Sequence, residues 1–204
     1  LKQYLSDIVL RDDVARHSIK NQQALHQIVS FYLTGLSCLH SYNSLRKAFE
    51  ISIELASTLT SYLTQAFLVF EMGRYHPNLK VQARDPKKIY VIDTGLRTVS
   101  LQSDREDWGR LAENAVYLEL RRRGKQAFYY KQAQEVDFVI TELGKPIDAI
   151  QVCYSDLEDP ATRNREINAL LECLHALELP SGKILTLSLE DVLLKEGKAI
   201  HLVP

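Results

Sequence analysis

Four polar residues on two neighbouring segments carry the clearest chemical signal in the chain. Glu135 and Asp137 alternate with apolar residues, so both side chains point to one face of an extended strand. Gln151 and Cys153 share a face in the same way. If the segments pair as a hairpin, Asp137 lies opposite Gln151 and Glu135 lies opposite Cys153. Carboxylates gathered like this suit a divalent-metal site. The alternative interpretation is the solvated polar face of an ordinary hairpin, which the spacing alone favours.

The connection between these segments supports their pairing. Residues 141–146, Thr-Glu-Leu-Gly-Lys-Pro, are rich in turn-forming types. The pattern predicts a tight turn near Leu143-Gly144.

Composition restricts the class of protein. The chain has 204 residues, of which 46% are hydrophobic and 25% charged, as in ordinary soluble globular proteins. The net charge of −1 predicts no general affinity for nucleic acid. The sequence has no secretory leader and no apolar run of the roughly 18 residues that cross a membrane, so no membrane partner is expected. The odd number of cysteines, without metal-ligand spacing, predicts a reduced, cytoplasmic protein without structural zinc.

Residues 1–96 are predicted to form a helical module that ends in a two-stranded ribbon. Apolar residues at helical spacing predict helices over 1–14, around 25–33, over 44–49 and from Ser57-Thr58 to 67. The segments 67–75 and 87–92 are β-rich. Short helices followed by a ribbon are the layout of a winged helix. The polar stretch 97–108 is predicted to be a linker.

Residues 109–204 are predicted to fold in the order α-β-β-β-α-β-β, which gives the whole chain an α+β or α/β class. The first helix runs from Arg110 to Arg123. The second helix is capped by Asp159, with Pro160 at its first position. The strands are predicted at about 127–131, 135–140, 147–153, 183–187 and 199–203.

This order, with acids at these places, resembles the PD-(D/E)XK nuclease fold, also called the restriction-endonuclease-like fold. The chain as a whole resembles the C-terminal region of prokaryotic AAA-type ATPases that end in a domain of unknown function. The segments that carry the resemblance are Tyr4–Asp12, Lys87–Leu96, Gly109–Val116, Glu135–Phe138, Gln151–Tyr154 and Thr162–Glu166.

The resemblance implies a nuclease-like site with two altered positions. Glu113, Asp137 and Gln151 fall at the acidic positions that hold magnesium, and Cys153 falls at the position of a lysine. Gln151 is neutral and so a poorer metal ligand, and a thiol with a pKa of ~8.5 cannot replace an ammonium group. We therefore predict a degenerate site that does not cleave. The alternative is a Mg²⁺-dependent DNA nuclease in which Glu135 serves as an additional ligand. Glu113 and Asp137 are equally compatible with simple surface acids.

The predicted winged helix offers a surface for duplex DNA. Its helix 57–67 is expected to enter the major groove, with Ser57, Thr60 and Ser61 exposed for hydrogen bonding. The ribbon and its flanks hold the cations expected to contact phosphates, namely Arg74, Lys80, Arg84, Lys87 and Lys88. Because the helix itself has no Arg or Lys, use of this module as a subunit contact is equally supported.

ATP is expected to bind only through an N-terminal module outside this chain. None of the eight glycines begins a Gly-Lys-Ser/Thr sequence, so no phosphate-binding loop is predicted. The start at Leu1 predicts a piece of a longer protein. The predicted function is a C-terminal recognition or regulatory region that binds DNA or a protein partner. The alternatives are the nuclease and a protein-interaction or dimerisation module.

Overall fold

The computed structural model describes Gln3, Asp7 and residues 19–100, 107–155, 157 and 159–204. Most of the predicted opening helix and residues 101–106 of the predicted linker 97–108 therefore lie outside the described residues. The chain divides into two compact units. The first consists of Leu1–Met72 and Asp85–Glu106, and the second of Gly73–Arg84 and Asp107–Pro204.

Three helices build most of the first unit. Helix α1 (Gln22–Thr34) buries the predicted apolar stripe, and the Asn21 side chain caps it by accepting a hydrogen bond from Ala24 N. Helix α2 (Tyr42–Phe49) follows. Helix α3 (Ile53–Gln65) begins earlier than predicted, because Ser52 and not Ser57-Thr58 is its cap. The Ser52 backbone is extended and its hydroxyl accepts a hydrogen bond from Leu55 N, as an N-cap residue requires.

An antiparallel sheet of three strands completes the first unit. Its strands β1 (Leu39–His40), β2 (Val69–Met72) and β3 (Lys87–Val91) lie in the order β1-β3-β2. The two-residue strand β1 was not predicted. Strand β2 is shorter than the predicted 67–75, because Phe67 has a left-handed backbone (φ 57°) and the chain enters the second unit after Met72.

Two further helices flank strand β3 in sequence. Helix α4 (Leu79–Arg84) precedes it and belongs to the second unit. Helix α5 (Gly95–Ser100) follows it and belongs to the first.

The second unit is a mixed six-stranded sheet with two long helices. After helix α4, its elements in chain order are α6 (Trp108–Arg122), β4 (Gln126–Lys131), β5 (Glu135–Glu142), β6 (Lys145–Val152), α7 (Pro160–Ala176), β7 (Ser181–Leu185), β8 (Asp191–Lys195) and β9 (Lys198–Val203). The strands lie in the order β4-β5-β6-β7-β9-β8. Strands β6, β7 and β9 are parallel neighbours, and the other pairs are antiparallel.

The predicted order α-β-β-β-α-β-β therefore lacks one strand, β8. This strand is short, lies at the edge of the sheet, and leaves Val192 and Leu194 exposed. A half-exposed edge strand has no clear apolar alternation, so its signal in sequence is weak. Its pairing with β9 depends on a two-residue turn in which Glu196 and Gly197 both have positive φ.

The predicted hairpin turn at Leu143-Gly144 is confirmed. Both residues have positive φ, 49° and 78°, and strands β5 and β6 pair from Glu142 opposite Lys145. A β-bulge interrupts the register just beyond Pro146, a residue that cannot donate to the ladder.

The segment 73–75 extends the sheet at its β4 edge. Tyr75 N donates to Tyr129 O at 2.7 Å, and Tyr129 N donates to Gly73 O at 3.1 Å. Arg74 and Tyr129 thereby form a parallel bridge. The second unit thus incorporates a segment that the sequence places between strands β2 and β3 of the first.

Helix α7 lies against the sheet and closes the core of the second unit. Leu170 and Leu174 are fully buried there beside Ile184 of β7. The approach is close at Gly182, where an added Cβ atom would lie 3.0 Å from both Ala149 O and a Leu174 methyl group. Among the helices of the described residues, none is long and apolar enough to cross a membrane.

Candidate functional site

Asp137 and Gln151 lie opposite each other where strands β5 and β6 part. The strand register, with Phe138 paired to Ile150, brings the two residues together as predicted. Asp137 N donates to Gln151 Oε1 at 3.2 Å, and Val152 N donates to Asp137 Oδ2 at 2.9 Å. Both side chains are buried. Side-chain oxygens thus replace the backbone ladder at this point, which fixes both side chains.

Helix α7 adds a second carboxylate to this pair. Gln151 Nε2 donates to Glu166 Oε2 at 2.7 Å. Arg165 donates to the other oxygen, Oε1, from Nε at 3.0 Å and from Nη2 at 2.6 Å. Glu166 is buried, whereas the Arg165 side chain is 67% exposed. The sequence analysis placed Glu166 in the segment Thr162–Glu166 that carries the family resemblance but did not connect it to Gln151.

Cys153 lies at the end of strand β6 and is neutral. Its thiol contacts Ser155 Oγ at 3.3 Å, and its N–H donates to Leu185 O at 2.9 Å. Burial raises the pKa of Cys153, and the nearby Glu166 carboxylate raises it further, against a lowering effect of Ser155. The thiol therefore supplies neither a cation nor a thiolate at neutral pH.

The next residue, Tyr154, stacks on Trp108 at the start of helix α6. The ring centroids are 5.9 Å apart and the planes differ by 17°. This contact ties the end of β6 to the helix that carries Glu113.

Glu113 and Glu135 have different surroundings. Glu113 is buried on helix α6, next to the fully buried Asn114, so the solvated-surface interpretation of Glu113 is wrong. Glu135 Oε2 lies 3.1 Å from Lys131 Nζ, and both side chains are partly exposed. Within the parts of the chain that the structure covers, no three His, Cys, Asp or Glu side chains are grouped closely enough to hold a metal ion.

The arrangement is a chain of polar contacts. It runs from Arg165 through Glu166 and Gln151 to Asp137 and the N–H group of Val152. The Gln151 amide accepts from one side and donates to the other, so its orientation is fixed by both contacts. Such a network holds the separating ends of strands β5 and β6 in place against helix α7.

Two of the predicted DNA contacts are buried in the first unit. Thr60 is fully buried, where its hydroxyl lies 2.7 Å from Tyr32 OH and donates to Ala56 O at 2.8 Å. The prediction that Thr60 is exposed on helix α3 is therefore wrong, because that face packs on Tyr32. Lys88 is 2% exposed on the central strand β3, so it does not present its charge at the surface as predicted.

The other predicted contacts are divided between the two units. Ser57 is half-buried and Ser61 is exposed on helix α3. Lys80 and Arg84 are exposed on helix α4 of the second unit. Arg74, also in the second unit, donates a short hydrogen bond to Lys131 O. The eight positions do not form one surface within either unit.

Lys87 belongs to a polar cluster that sequence reasoning missed. Its ammonium lies 3.1 Å from Glu71 Oε2, and His40 Nε2 lies 3.2 Å from Glu71 Oε1. Tyr42 OH donates to the same carboxylate at 3.0 Å. Burial raises the pKa of Glu71, but contacts with His40 and Lys87 outweigh burial and leave it lowered. Glu71 lies 29 residues from Tyr42 and 16 from Lys87 in sequence, so no spacing signalled the cluster.

Comparison with known proteins gives a family match in each half of the chain. Residues 1–107 match a family model described as the domain of unknown function DUF8612. Residues 108–203 match the domain of unknown function DUF4143, which is typically a C-terminal region of AAA-type ATPases.

Two curated relatives are longer than this chain. An uncharacterised protein of Methanocaldococcus jannaschii is 33% identical over 201 residues, which are 94% of this chain and 44% of the relative. An uncharacterised protein of Haemophilus influenzae is 25% identical over 138 residues, which are 65% of this chain and 34% of the relative. The chain thus spans less than half the length of these relatives. No solved structure matches it.

Proposed function

The chain belongs to the DUF8612 family and continues into a DUF4143 region, and from this premise we propose that it is the C-terminal recognition region of an AAA-type ATPase. In this proposal its second unit is a nuclease-like module that binds a partner without cleaving nucleic acid. ATP binding and hydrolysis belong to a separate module of the longer protein.

The order of elements supports a winged helix in the first unit and a nuclease-like fold in the second. In the first unit, three helices and an antiparallel sheet in the order β1-β3-β2 agree with a winged helix. In the second unit, a helix is followed by three antiparallel strands, a second helix and a parallel strand. This order agrees with a nuclease-like fold.

The hydrogen bond from Gln151 to Glu166 carries the non-catalytic assignment. A magnesium site for phosphate chemistry needs carboxylate oxygens that are available to the metal. Here one Glu166 oxygen accepts from Gln151 and the other from Arg165, while Asp137 Oδ2 accepts from Val152 N. An arginine already balances the charge of Glu166, and the neutral Cys153 leaves the lysine position without a cation.

A cleavage assay tests this assignment. The protein is incubated with supercoiled plasmid and with single-stranded DNA in the presence of Mg²⁺ or Mn²⁺. We expect the same background with and without metal, and the same background in Asp137→Ala. Metal-dependent cutting that disappears in Asp137→Ala would establish the nuclease instead.

The partner class that the surface favours is a protein. Of the predicted DNA contacts, Thr60 and Lys88 are buried and Lys87 is engaged by Glu71. The edge strand β8 meanwhile exposes Val192 and Leu194, and exposed apolar residues at a sheet edge are common at protein contacts.

Binding to labelled duplex DNA separates the two partner classes. A protein-binding module shows weak DNA affinity that is unchanged by the double substitution Lys80→Glu/Arg84→Glu. A DNA-binding module loses affinity in that variant, and its affinity falls steeply as salt is raised from about 50 to about 200 mM.

A further inference from the structure

We propose that two copies of this chain pair edge to edge through strand β8, so that their second units form one continuous sheet. This pairing rests on the protein-binding function proposed above and names the partner, a second copy of the chain. Strand β8 ends the six-stranded sheet, and among the described residues no strand pairs with its outer side. The opposite edge, β4, is extended by the segment 73–75. Strand β8 is therefore open to a strand from another chain.

The outer side of β8 presents its backbone groups in a regular pattern. Lys195 and Lys198 flank the two-residue turn and so form a hydrogen-bonded pair. Such pairs alternate along an antiparallel ladder, so the N–H and C=O groups of Val192 and Leu194 point away from β9. Val192 N donates instead to Oδ1 of its neighbour Asp191, at 2.8 Å. Strand β8 itself has neither the bulge nor the proline that often protects an edge from pairing.

The side chains of β8 separate into two faces. Leu193 packs against the core of the second unit. On the same face, Asp191 Oδ2 lies 3.6 Å from Arg163 Nη2 of helix α7. Val192 and Leu194 point to the other face, where they are 57% and 84% exposed. Two apolar side chains are thus held in water beside the open backbone edge.

The sequence of β8 is complementary to itself in one antiparallel register. With a two-fold axis at Leu193, Asp191 lies opposite Lys195 of the second copy at both ends of the pairing. Val192 then lies opposite Leu194 of the second copy, and their outward backbone groups exchange hydrogen bonds in both directions. A shift by two residues keeps the backbone bonds but separates the opposite charges and shortens the overlap.

Pairing also brings a carboxylate to Lys195. Within one copy, Lys195 faces Lys198 across the hairpin, and its ammonium donates to Asn168 Oδ1 at 3.0 Å. Like charges directly opposite each other are destabilising, and Asp191 of a second copy supplies the opposite charge. That carboxylate becomes available when the N–H of Val192 bonds to the second copy instead.

Sedimentation velocity on the whole chain measures this self-association. The concentration series runs from about 1 µM to about 1 mM, the range in which small interfaces dissociate. We expect a reversible equilibrium between monomer and dimer. Leu194→Lys, at an exposed position outside the core, should weaken dimer formation about tenfold, because it removes the apolar pair with Val192. Leu187→Lys is the matched control, since Leu187 is also exposed but lies outside the strands.

Charge reversal tests the register. Asp191→Lys alone sets lysine against lysine at both ends of the pairing, and Lys195→Asp alone sets aspartate against aspartate. Each variant should therefore dimerise at least about tenfold more weakly than the wild type. An equal mixture of the two variants should dimerise like the wild type, because every charged pair between the copies is then lysine opposite aspartate. Glu142→Lys and Lys145→Asp make similar charge changes on an exposed pair at the β5–β6 turn and should leave the equilibrium unchanged.

Three results would overturn the self-pairing. The wild type stays monomeric over the whole series, or its dimer is weakened neither by Leu194→Lys nor by the charge reversals, or the mixture of folded charge variants fails to dimerise. Melting curves show whether each variant is folded, and if a charge variant is not, Leu194→Lys decides alone. The cleavage and DNA-binding assays described above do not depend on dimer formation. A monomeric chain would therefore remove the self-pairing and leave the recognition function to those assays.

Discussion

Gln151 and Glu166, fifteen residues apart in sequence, are joined by an amide-to-carboxylate hydrogen bond of 2.7 Å. The bond ties strand β6 to helix α7 and uses the one functional group of Gln151 that a glutamate lacks, its N–H donor. A neutral amide at this position is therefore suited to the carboxylate beside it.

Replacing this amide by a carboxylate should destabilise the fold at neutral pH. In Gln151→Glu the donor to Glu166 is lost and two acids meet in a buried place, so we expect about 1–3 kcal/mol less free energy of unfolding. Mutual repulsion raises the pKa of this acid pair in the folded state above its unfolded value. The penalty is therefore present at neutral pH and fades as the pH falls and the pair takes up a proton.

Urea unfolding at pH 7 and at pH 5 measures this effect. The matched control is Gln126→Glu, at an exposed position where the new carboxylate still accepts from Thr141 Oγ1. Full recovery of Gln151→Glu stability by Mg²⁺ would contradict the non-catalytic assignment, because it would reveal a metal site.

The cluster around Glu71 should make the first unit sensitive to acid. The folded-state pKa of Glu71 is lowered, so its stabilising contribution is present above its unfolded pKa near 4.5 and is lost as the pH falls through the folded value. Glu71→Gln should cost about 1–3 kcal/mol at pH 7, since it weakens contacts to Lys87 and His40.

Urea unfolding between pH 7 and pH 3 tests this linkage. The difference between wild type and Glu71→Gln should shrink toward the acid end. The exposed Glu50→Gln in the same unit serves as control. A difference that stays constant over the whole range would show that the charge of Glu71 is not what stabilises the unit.

Thiol labelling should distinguish the three cysteines. Burial raises the pKa of Cys153, and it raises the pKa of Cys173 to about 12, whereas Cys38 is partly exposed. Because the thiolate is the reactive form, a disulfide reagent at pH 8 should modify only Cys38 quickly in the native protein. In urea the same reagent should modify all three cysteines quickly. Cys38→Ser should abolish the fast phase. A fast phase that persists in Cys38→Ser would mean that a buried thiol is accessible.

A substitution in the turn at Leu143 should stabilise the protein. Leu143 is 99% exposed and has a left-handed backbone, which a leucine adopts at a cost of about 1–2 kcal/mol. Asparagine accepts this conformation more readily, so Leu143→Asn should raise the free energy of unfolding by about 0.5–1 kcal/mol. The control is Leu187→Asn, an exposed leucine outside the positive-φ positions, which should show little change. Equal effects of both substitutions would contradict the backbone explanation.

The parts of the fold that depend on local chemistry were predictable from sequence. Asp159-Pro160 begins helix α7, and the Leu143-Gly144 turn closes the hairpin of β5 and β6. The β-bulge beyond Pro146 then shifts the register by one residue and brings Asp137 opposite Gln151. These features depend on residues close together in the chain, so caps, turns and the two-residue strand period are enough to find them.

The features of the fold and of the site that the sequence did not predict depend on contacts between residues far apart in the chain. Glu166 became part of the site only through the packing of helix α7 on the sheet, and His40 met Glu71 only through the first-unit fold. Thr60 is a polar residue of the kind expected on the exposed face of a helix, but its hydroxyl forms hydrogen bonds with Tyr32 and Ala56 inside the first unit. A polar residue whose partner lies elsewhere in the chain gives no periodic signal of its burial.

The strand-like segment 73–75 has a practical consequence for anyone who cuts this protein into pieces. A fragment that begins at residue 107 keeps β4 but loses the backbone partners that Gly73 and Tyr75 provide to Tyr129. Its sheet would end in an open row of donors and acceptors, which invites aggregation. Any transfer of the C-terminal half into another protein must therefore bring residues 73–84 with it.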